Sequence, residues 1–430
     1  MIIRINKQSA IHYFLIYFML IVNQSCLYEY FLRSELIRLG LLCLFGLLIA
    51  KNYKKNYRIY LGTAGILFVC MFITRFMAGG IGLTAWVGWV LPIFVSVYVV
   101  NFDFDNFFKR FVKVAVFLAG VGIVFFFIQI SVPELLKTIL PIEYDTSFSD
   151  KVWYDSKRYI EIFHKGYGLF LYSYKVGGDS LMRNKGIFTE PGICQMLYNS
   201  ALIILLFFSD KVAMTKKQFK RNMTVLIIAI VTVQSTTGYI LLGCILICYI
   251  FTNQKRKKNV KGYIFTAIIL GSIGLLGDLA IRGSESFLNI AIFDKILGNN
   301  NQFKIQGSGM ARIGSALLSI SVMIAHPLGI GSDNLLELQE ADLVAGGGAG
   351  IFKFGAKAGI IPLLTCILFY AVPIIKSSLK PLIKILLIFF IFDILFAQTI
   401  PFYPILIMFP IYLIEQKRQE RIEGNSYRSI

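Results

Sequence analysis

Charge is scarce in this chain, and acid is scarcer than base. Only 16% of the 430 residues are Asp, Glu, Lys or Arg, with 24 acidic residues against 43 basic ones. A soluble domain carries about a quarter charged residues, so an ordinary water-soluble fold is excluded. Histidine is scarcer still, with three copies at His12, His164 and His326. His12 lies inside an apolar run and His164 in a loop, and neither has the sequence company of a metal ligand set. The seven cysteines, Cys26, Cys43, Cys70, Cys194, Cys244, Cys248 and Cys366, include no C-x-x-C pair and fall in or beside apolar runs. They read as small apolar core residues rather than disulfides. Cys244 and Cys248 share a helix face, but no His or carboxylate beside them completes a metal site. The Gly346–Gly350 run lacks the Gly-Lys-Ser/Thr ending of a phosphate loop, which argues against an ATP-driven pump. No metal and no cofactor are expected.

What the chain has instead is apolar length. Hydrophobic residues make up 57% of it and the mean hydropathy is +0.69. Runs of about 20 apolar residues, the length that crosses a hydrocarbon core of about 30 Å, recur from Ile11 to Ile414 with charged breaks between them. The pattern predicts spans at 11–27, 36–50, 59–77, 84–100, 111–131, 187–208, 223–235, 238–252, 262–281, 359–375, 382–398 and 401–414. The expected fold is therefore all-α: a polytopic integral membrane protein with about 12 transmembrane helices in a single membrane domain, 1–430. The first run follows a charged head like that of a signal peptide, but no small-residue cleavage site follows it, so it is expected to stay as an anchor. The stretch Ala311–Ala325 is expected to lie on, or dip into, the outer face. Counting it as a further span would put a basic loop on the wrong side.

The formal net charge of +19 would suit nucleic acid if it were gathered on a soluble module with interleaved aromatics. It is not. The basic residues fall at every second break: Lys51–Arg58, Lys109–Lys113, Lys211–Arg221, Lys255–Lys261, Lys376–Lys384 and Lys417–Arg421. That alternation follows the positive-inside rule, with anionic membrane lipid as neighbour. It predicts a multi-pass membrane protein with both termini cytoplasmic and no nucleic-acid partner.

Two outward loops stand out by length, 132–186 and 282–358, and long loops on a rigid scaffold tend to carry function. The first mixes Glu143, Asp145, Asp150, Asp155, Glu161 and Asp179 with Tyr144, Trp153, Tyr154, Tyr159, Tyr167, Tyr172 and Tyr174. Rings that stack on sugar faces and carboxylates that accept hydroxyl hydrogen bonds suit a glycan. An amphipathic surface helix anchored at the headgroups suits the composition equally. At the end of that loop Arg183, Lys185 and Glu190 lie within eight residues, beside Gly186 and Pro191-Gly192. Charges at a lipid boundary need a partner or a ligand. Glu190 is placed to pair with Arg183 or to cap the helix that Pro191 starts. Lys185 reads as a headgroup anchor.

The order R-N-K-G-I-F-T-E-P-G from Arg183, then a lone Arg312 ahead of an apolar stretch, then H-P-L-G-I-G from His326, then A-G-I-I from Ala358, resembles the O-antigen polymerase and ligase superfamily. Within it the chain looks most like the Wzy-type repeat-unit polymerases. That resemblance implies a glycosyltransferase joining undecaprenyl-diphosphate-linked oligosaccharides at the outer face of the plasma membrane. The product would be O-antigen, capsule or exopolysaccharide, and flippase and chain-length regulator proteins would be partners. A ligase or other lipid-linked glycosyltransferase, and a flippase, are the alternatives. By matching the family's arginines, Arg183 and Arg312 become the catalytic candidates, since guanidinium clamps a departing diphosphate without a metal. His326 is the candidate general base, with Asp333 or Glu337 in reserve. Lys185, Glu190, Gly329, Gly331 and Asp333 are the expected substrate-binding residues. The two loops are expected to meet over one groove, with both arginines in reach of a single diphosphate.

The orientation can be checked by cysteine labelling. In a background without the native cysteines, Lys257→Cys is expected to label only after the membrane is permeabilised; labelling from outside would reverse the topology.

Overall fold

The computed structural model describes residues 7–32, 34–54, 57–78, 82–139, 143–145, 150–155, 158–162, 165–168, 170–176, 182–252, 308–341, 349–398 and 400–426. The expected span at 262–281, the Lys255–Lys261 loop, His164 and the first part of the second large loop lie outside them. The described chain is mostly helical. It forms α1 (Lys7–Ile21), α2 (Cys26–Phe31), α3 (Glu35–Lys51), α4 (Tyr57–Ala78), α5 (Leu83–Phe102), α6 (Phe104–Ser131), α7 (Pro133–Ile139), α8 (Pro191–Phe207), α9 (Ser209–Val212), α10 (Lys216–Val233) and α11 (Thr236–Thr252). There follow α12 (Ser308–Ala325), α13 (Ser332–Ala341), α14 (Gly350–Ala358), α15 (Ile360–Ile375), α16 (Pro381–Ala397) and α17 (Pro404–Ser426). Among them α4, α6 and the Ala85–Phe102 part of α5 are long and apolar enough to cross a membrane. This marks a membrane protein. Shorter apolar helices, α8, α11 and α15, coincide with other expected spans.

The chain divides into two compact units, one of Met1–Asn52, Leu91–Tyr239 and Tyr403–Met408, the other of Tyr53–Val90, Ile240–Phe402 and Phe409–Ile430. In the first, α6 is the hub, packing against α1, α7, α8, α9 and α10. Its buried face carries Phe107, Phe111, Leu118, Gly122 and Phe126 at helical spacing. Gly122 matters because a Cβ there would sit 3.0 Å from the Tyr198 hydroxyl of α8. Every residue of α8 from Ile193 to Leu206 is buried, the polar ones included.

The first expected span is interrupted. α1 stops at Ile21, Gln24 takes a left-handed conformation (φ 59°), and Ser25 caps α2 by accepting from the Tyr28 N–H at 3.1 Å. The polar run Asn23-Gln-Ser25 supplies this turn.

A buried polar knot ties α1 to α6. Arg110 donates from Nη1 to Asp103 Oδ2 at 2.5 Å and to His12 Nδ1 at 2.6 Å, and from Nη2 to Ser9 Oγ at 2.9 Å. Because guanidinium only donates, His12 Nδ1 is an acceptor and Nε2–H is left to donate to the Val99 carbonyl at 3.0 Å. One neutral tautomer satisfies both contacts. Asp103 lies between α5 and α6. Burial works to raise its pKa, but hydrogen bonds from Asn106 and Arg110, with the Arg110 charge, bring it below the usual carboxylate range.

Beyond α7, the described residues of the first large loop form antiparallel strands rather than an amphipathic surface helix. β1 (Glu143–Asp145), β4 (Lys165–Gly168) and β5 (Ser173–Val176) make one sheet in the order β1-β4-β5, and β2 (Asp150–Asp155) pairs with β3 (Arg158–Ile162). The aromatic and β-branched residues that suggested a sugar surface are strand formers. Part of that ring content is structural. Tyr172, Tyr174 and Leu136 form a small core with Phe125 and Ile128 of α6, and the Tyr172 hydroxyl donates to Gln129 Oε1 at 2.7 Å.

The second unit is built around the nine-residue α14, which packs against α4, α12, α13, α15 and α16. Val322, Met323, Ile330, Leu335 and Ala356 form its core, with Trp89 edge-on to Phe354 at 4.9 Å.

Breaking the polar knot on one side is expected to be costly. Asp103→Asn leaves Arg110 charged and nearly buried, and should remove about 3 kcal/mol, the lower end for a broken buried pair. The double variant Asp103→Asn/Arg110→Met should lose less. Thermal unfolding in detergent reads both, and a single variant that melts like the parent would deny the knot its weight.

Candidate functional site

The Arg183–Glu190 segment is non-helical backbone that turns at Gly186-Ile187 inside apolar protein, a position where each N–H and C=O needs a partner. The chain supplies them from both sides. Ser173 N–H donates to the Gly186 carbonyl at 2.6 Å, and the Ser173 hydroxyl donates to the Phe188 carbonyl. From the α1–α2 turn, Cys26 N–H donates to Ile187 O at 2.9 Å, while Thr189 N–H donates to Gln24 O at 3.2 Å. Asn184 is the third fixing point. Its backbone N–H and side-chain Nδ2 reach Thr232 O and Oγ1 at 3.1 and 2.9 Å, and its Oδ1 accepts from Gly186 N–H at 2.9 Å. Gly186 is required twice over, by φ of 54° and because a Cβ would meet Cys194 Sγ and the Tyr198 hydroxyl at 3.1 Å.

On this fixed segment Arg183 is half-buried. Its Nε is buried without a hydrogen-bond partner, and its charge reaches the Tyr239 phenol. A buried guanidinium N–H left unpaired costs free energy that a ligand oxygen would recover. Lys185 is only 5% exposed, so it does not snorkel to headgroups as a surface anchor would. Glu190 occupies the N-cap of α8 with Pro191 following at the helix start, as expected, but its side chain makes no capping hydrogen bond.

Behind this segment α8 carries polar groups that the sequence reading passed over. Gln195, Asn199 and Ser200 are fully buried. Asn199 Nδ2 donates to Gln195 Oε1 at 2.8 Å, yet Gln195 Nε2, Asn199 Oδ1 and Ser200 Oγ are unpartnered. The available signal was a Gln and an Asn four residues apart inside an apolar run, where polar side chains are expensive. Gly238 allows close approach here, since a Cβ would lie 3.0 Å from Gln195 Cβ.

The second candidate group belongs to the other unit. Arg312 is half-buried near the start of α12, and its charge acts on Asp393 of α16. One oxygen of Asp393, Oδ2, is buried without a hydrogen bond. The two residues sit on helices far apart in the chain, so the sequence alone does not link them. His326 follows the last residue of α12 and is exposed, as are Asp333 and Glu337 on α13.

The H-P-L-G-I-G element lies along the end of α14. Ile330 and Gly331 N–H donate to the carbonyls of Ala356 and Lys357 at 3.0 Å each, and Ile360 N–H donates to Pro327 O at 2.9 Å. A Cβ on Gly329 (φ 84°) would stand 2.6 Å from Lys357 O, and one on Gly359 (φ 102°) 2.9 Å from the Leu328 carbonyl carbon. These two glycines therefore have a packing role: backbone lies on backbone. Thr74 Oγ1 completes the junction by donating to Leu328 O at 2.7 Å.

Two lysines that had no assigned part flank this junction on one face of α14. Burial, with the Lys357 charge four residues on, pushes Lys353 down to about 8. Burial also lowers Lys357, partly offset by the exposed Asp333. The structure thus gathers Arg183, Lys185 and Glu190 in one segment, and gathers His326, Gly329, Gly331 and Asp333 around α14. No protein-family model, curated protein or solved structure matches the chain.

The lysine shift has a definite sign. Between about 8 and the ordinary 10.5 the folded protein binds fewer protons at Lys353 than the unfolded chain, so stability should rise with pH across that window. Lys353→Met is expected to flatten the rise. Melting curves at several pH values compare the two proteins, and identical slopes would remove Lys353 as the cause.

Proposed function

We propose that this protein is a bacterial surface-polysaccharide polymerase. It transfers a growing glycan from one undecaprenyl diphosphate onto an incoming lipid-linked repeat unit at the outer face of the plasma membrane. The observation that carries the reading is Arg183: a half-buried guanidinium with an unpartnered Nε, on a non-helical segment whose backbone is hydrogen-bonded from both sides. A rigidly held cation with spare donors suits the charge that develops as a diphosphate departs. Arg312 is the second cation of the proposal, with Asp393 as its counter-charge. That pairing also gives the buried acid of α16 a role that needs no transported ion.

In the transfer, a hydroxyl oxygen of the acceptor sugar bonds to the anomeric carbon of the donor. The carbon–oxygen bond to the diphosphate breaks, and the diphosphate keeps the electron pair. The hydroxyl proton passes to a base, for which exposed His326 is the first candidate and Asp333 or Glu337 the next. The buried Gln195, Asn199 and Ser200 lie along α8 behind Arg183 and support the reading as spare hydrogen-bonding capacity near the same segment.

The test is genetic and chemical. Deleting the gene is expected to abolish the long-chain ladder while single repeat units are still displayed. Polymer stranded on the lipid carrier would indicate a ligase, and loss of all external units a flippase. Arg183→Ala and Arg312→Ala should each cut transfer by about 10²–10³-fold, the weight of one lost oxyanion donor, at normal membrane abundance. Arg→Lys should rescue in part, because Lys keeps the charge and loses the two-donor fork. Normal chain length in both alanine variants would end this proposal.

A further inference from the structure

Away from these residues, the first unit holds a basic groove of ≈ 470 Å³ between α6, the α9–α10 connection and the start of α10. Its charged lining is Lys109 and Lys113 of α6 and Arg221 of α10, beside Gln218, Asn222 and Phe117, and none of the described lining residues is acidic. Lys109 and Lys113 stand one turn apart on the same helix face, a like-charge pair that disfavours the helix unless an anion answers it. Asn222 is 3% exposed. Its Nδ2 touches Met214 Sδ at 3.1 Å while Oδ1 has no partner, so one end of a buried amide is unmatched beside the cations. The volume falls within the roughly 300–1,000 Å³ of small-ligand sites, enough for a polar headgroup but not for acyl chains.

The apolar part of such a ligand has a place as well. Following Lys109 and Lys113 up the same face of α6 come Phe117, Val124 and Phe127, which are 58%, 57% and 56% exposed. A cationic pocket at one end of an exposed apolar stripe matches one chemistry: a negatively charged headgroup joined to a hydrocarbon tail. Free phosphate would use the cations alone and a neutral lipid the stripe alone, whereas an anionic lipid uses both.

We propose that this groove is a specific site for an anionic phospholipid, its phosphate held by Lys109, Lys113 and Arg221 and one acyl chain lying along Phe117, Val124 and Phe127. The site is separate from the transfer chemistry proposed above and does not depend on it.

Native mass spectrometry of the delipidated full-length protein in detergent tests this with phosphatidylglycerol, phosphatidylcholine and glycerol 3-phosphate as probes. Phosphatidylglycerol is expected to bind in preference to phosphatidylcholine. Lys113→Gln and Arg221→Gln should each weaken it about fivefold, the weight of one basic residue at an anionic surface. Both side chains are exposed, so the fold is retained, which unchanged elution on gel filtration confirms. Lys51→Gln, an exposed cation at the end of α3, should leave the affinity unchanged. Three results would overturn the proposal: equal binding of the two lipids, a loss in Lys51→Gln as large as in the groove variants, or glycerol 3-phosphate binding as tightly as the whole lipid.

Discussion

Non-helical backbone inside apolar protein must find every hydrogen bond locally, and the Arg183–Glu190 segment meets that demand from several directions at once. Ser173 holds it from the strand side, the α1–α2 turn from another, and Asn184 fastens it to Thr232. With the backbone so committed, the segment has little freedom to move, and a side chain mounted on it is positioned before any ligand arrives. This is the condition under which a cation is most useful to chemistry, since no reorganisation is needed when charge develops. It also explains the interruption of the first apolar run. Had α1 continued through Asn23 and Gln24, the carbonyl of Gln24 would not be free to accept from Thr189.

The second unit solves a similar problem with less side chain. Gly329 and Gly359 let two stretches of backbone touch, so the carbonyls at the end of α14 are met by N–H groups of the H-P-L-G-I-G element. Short helices such as α14 are weak on their own. This one is held by its neighbours and by the Thr74 hydroxyl, and in return it buries Lys353 and half-buries Lys357.

Much of this was legible in the sequence. Apolar run length located α4 and α5 to within two residues at each end, because lipid imposes that length directly, but it missed the polar first two turns of α6, which starts at Phe104 rather than 111. The positions of Pro191 and of His326 at helix ends were readable from local chemistry. The strands of the first loop were not read, since the same aromatics serve a headgroup belt, a sugar surface or a sheet, and only pairing partners decide among them. The Lys353 and Lys357 burial and the Arg312 link to Asp393 were also out of reach. Each depends on which helices meet, and one-dimensional periodicity says nothing of that. Gln195 and Asn199 were the missed opportunity, for two amides one turn apart in an apolar helix are visible without coordinates.

The knot between α1 and α6 has a consequence for how the chain is made. Ser9 and His12 sit on α1, whereas their partner Arg110 follows His12 by 98 residues and is synthesised well after it. Until then α1 carries polar groups with no match among its own residues. It is therefore a poor candidate for early, independent release into lipid, and its final seat is set only when α6 arrives. The order of biogenesis is written into a contact that looks, in the finished protein, like simple reinforcement.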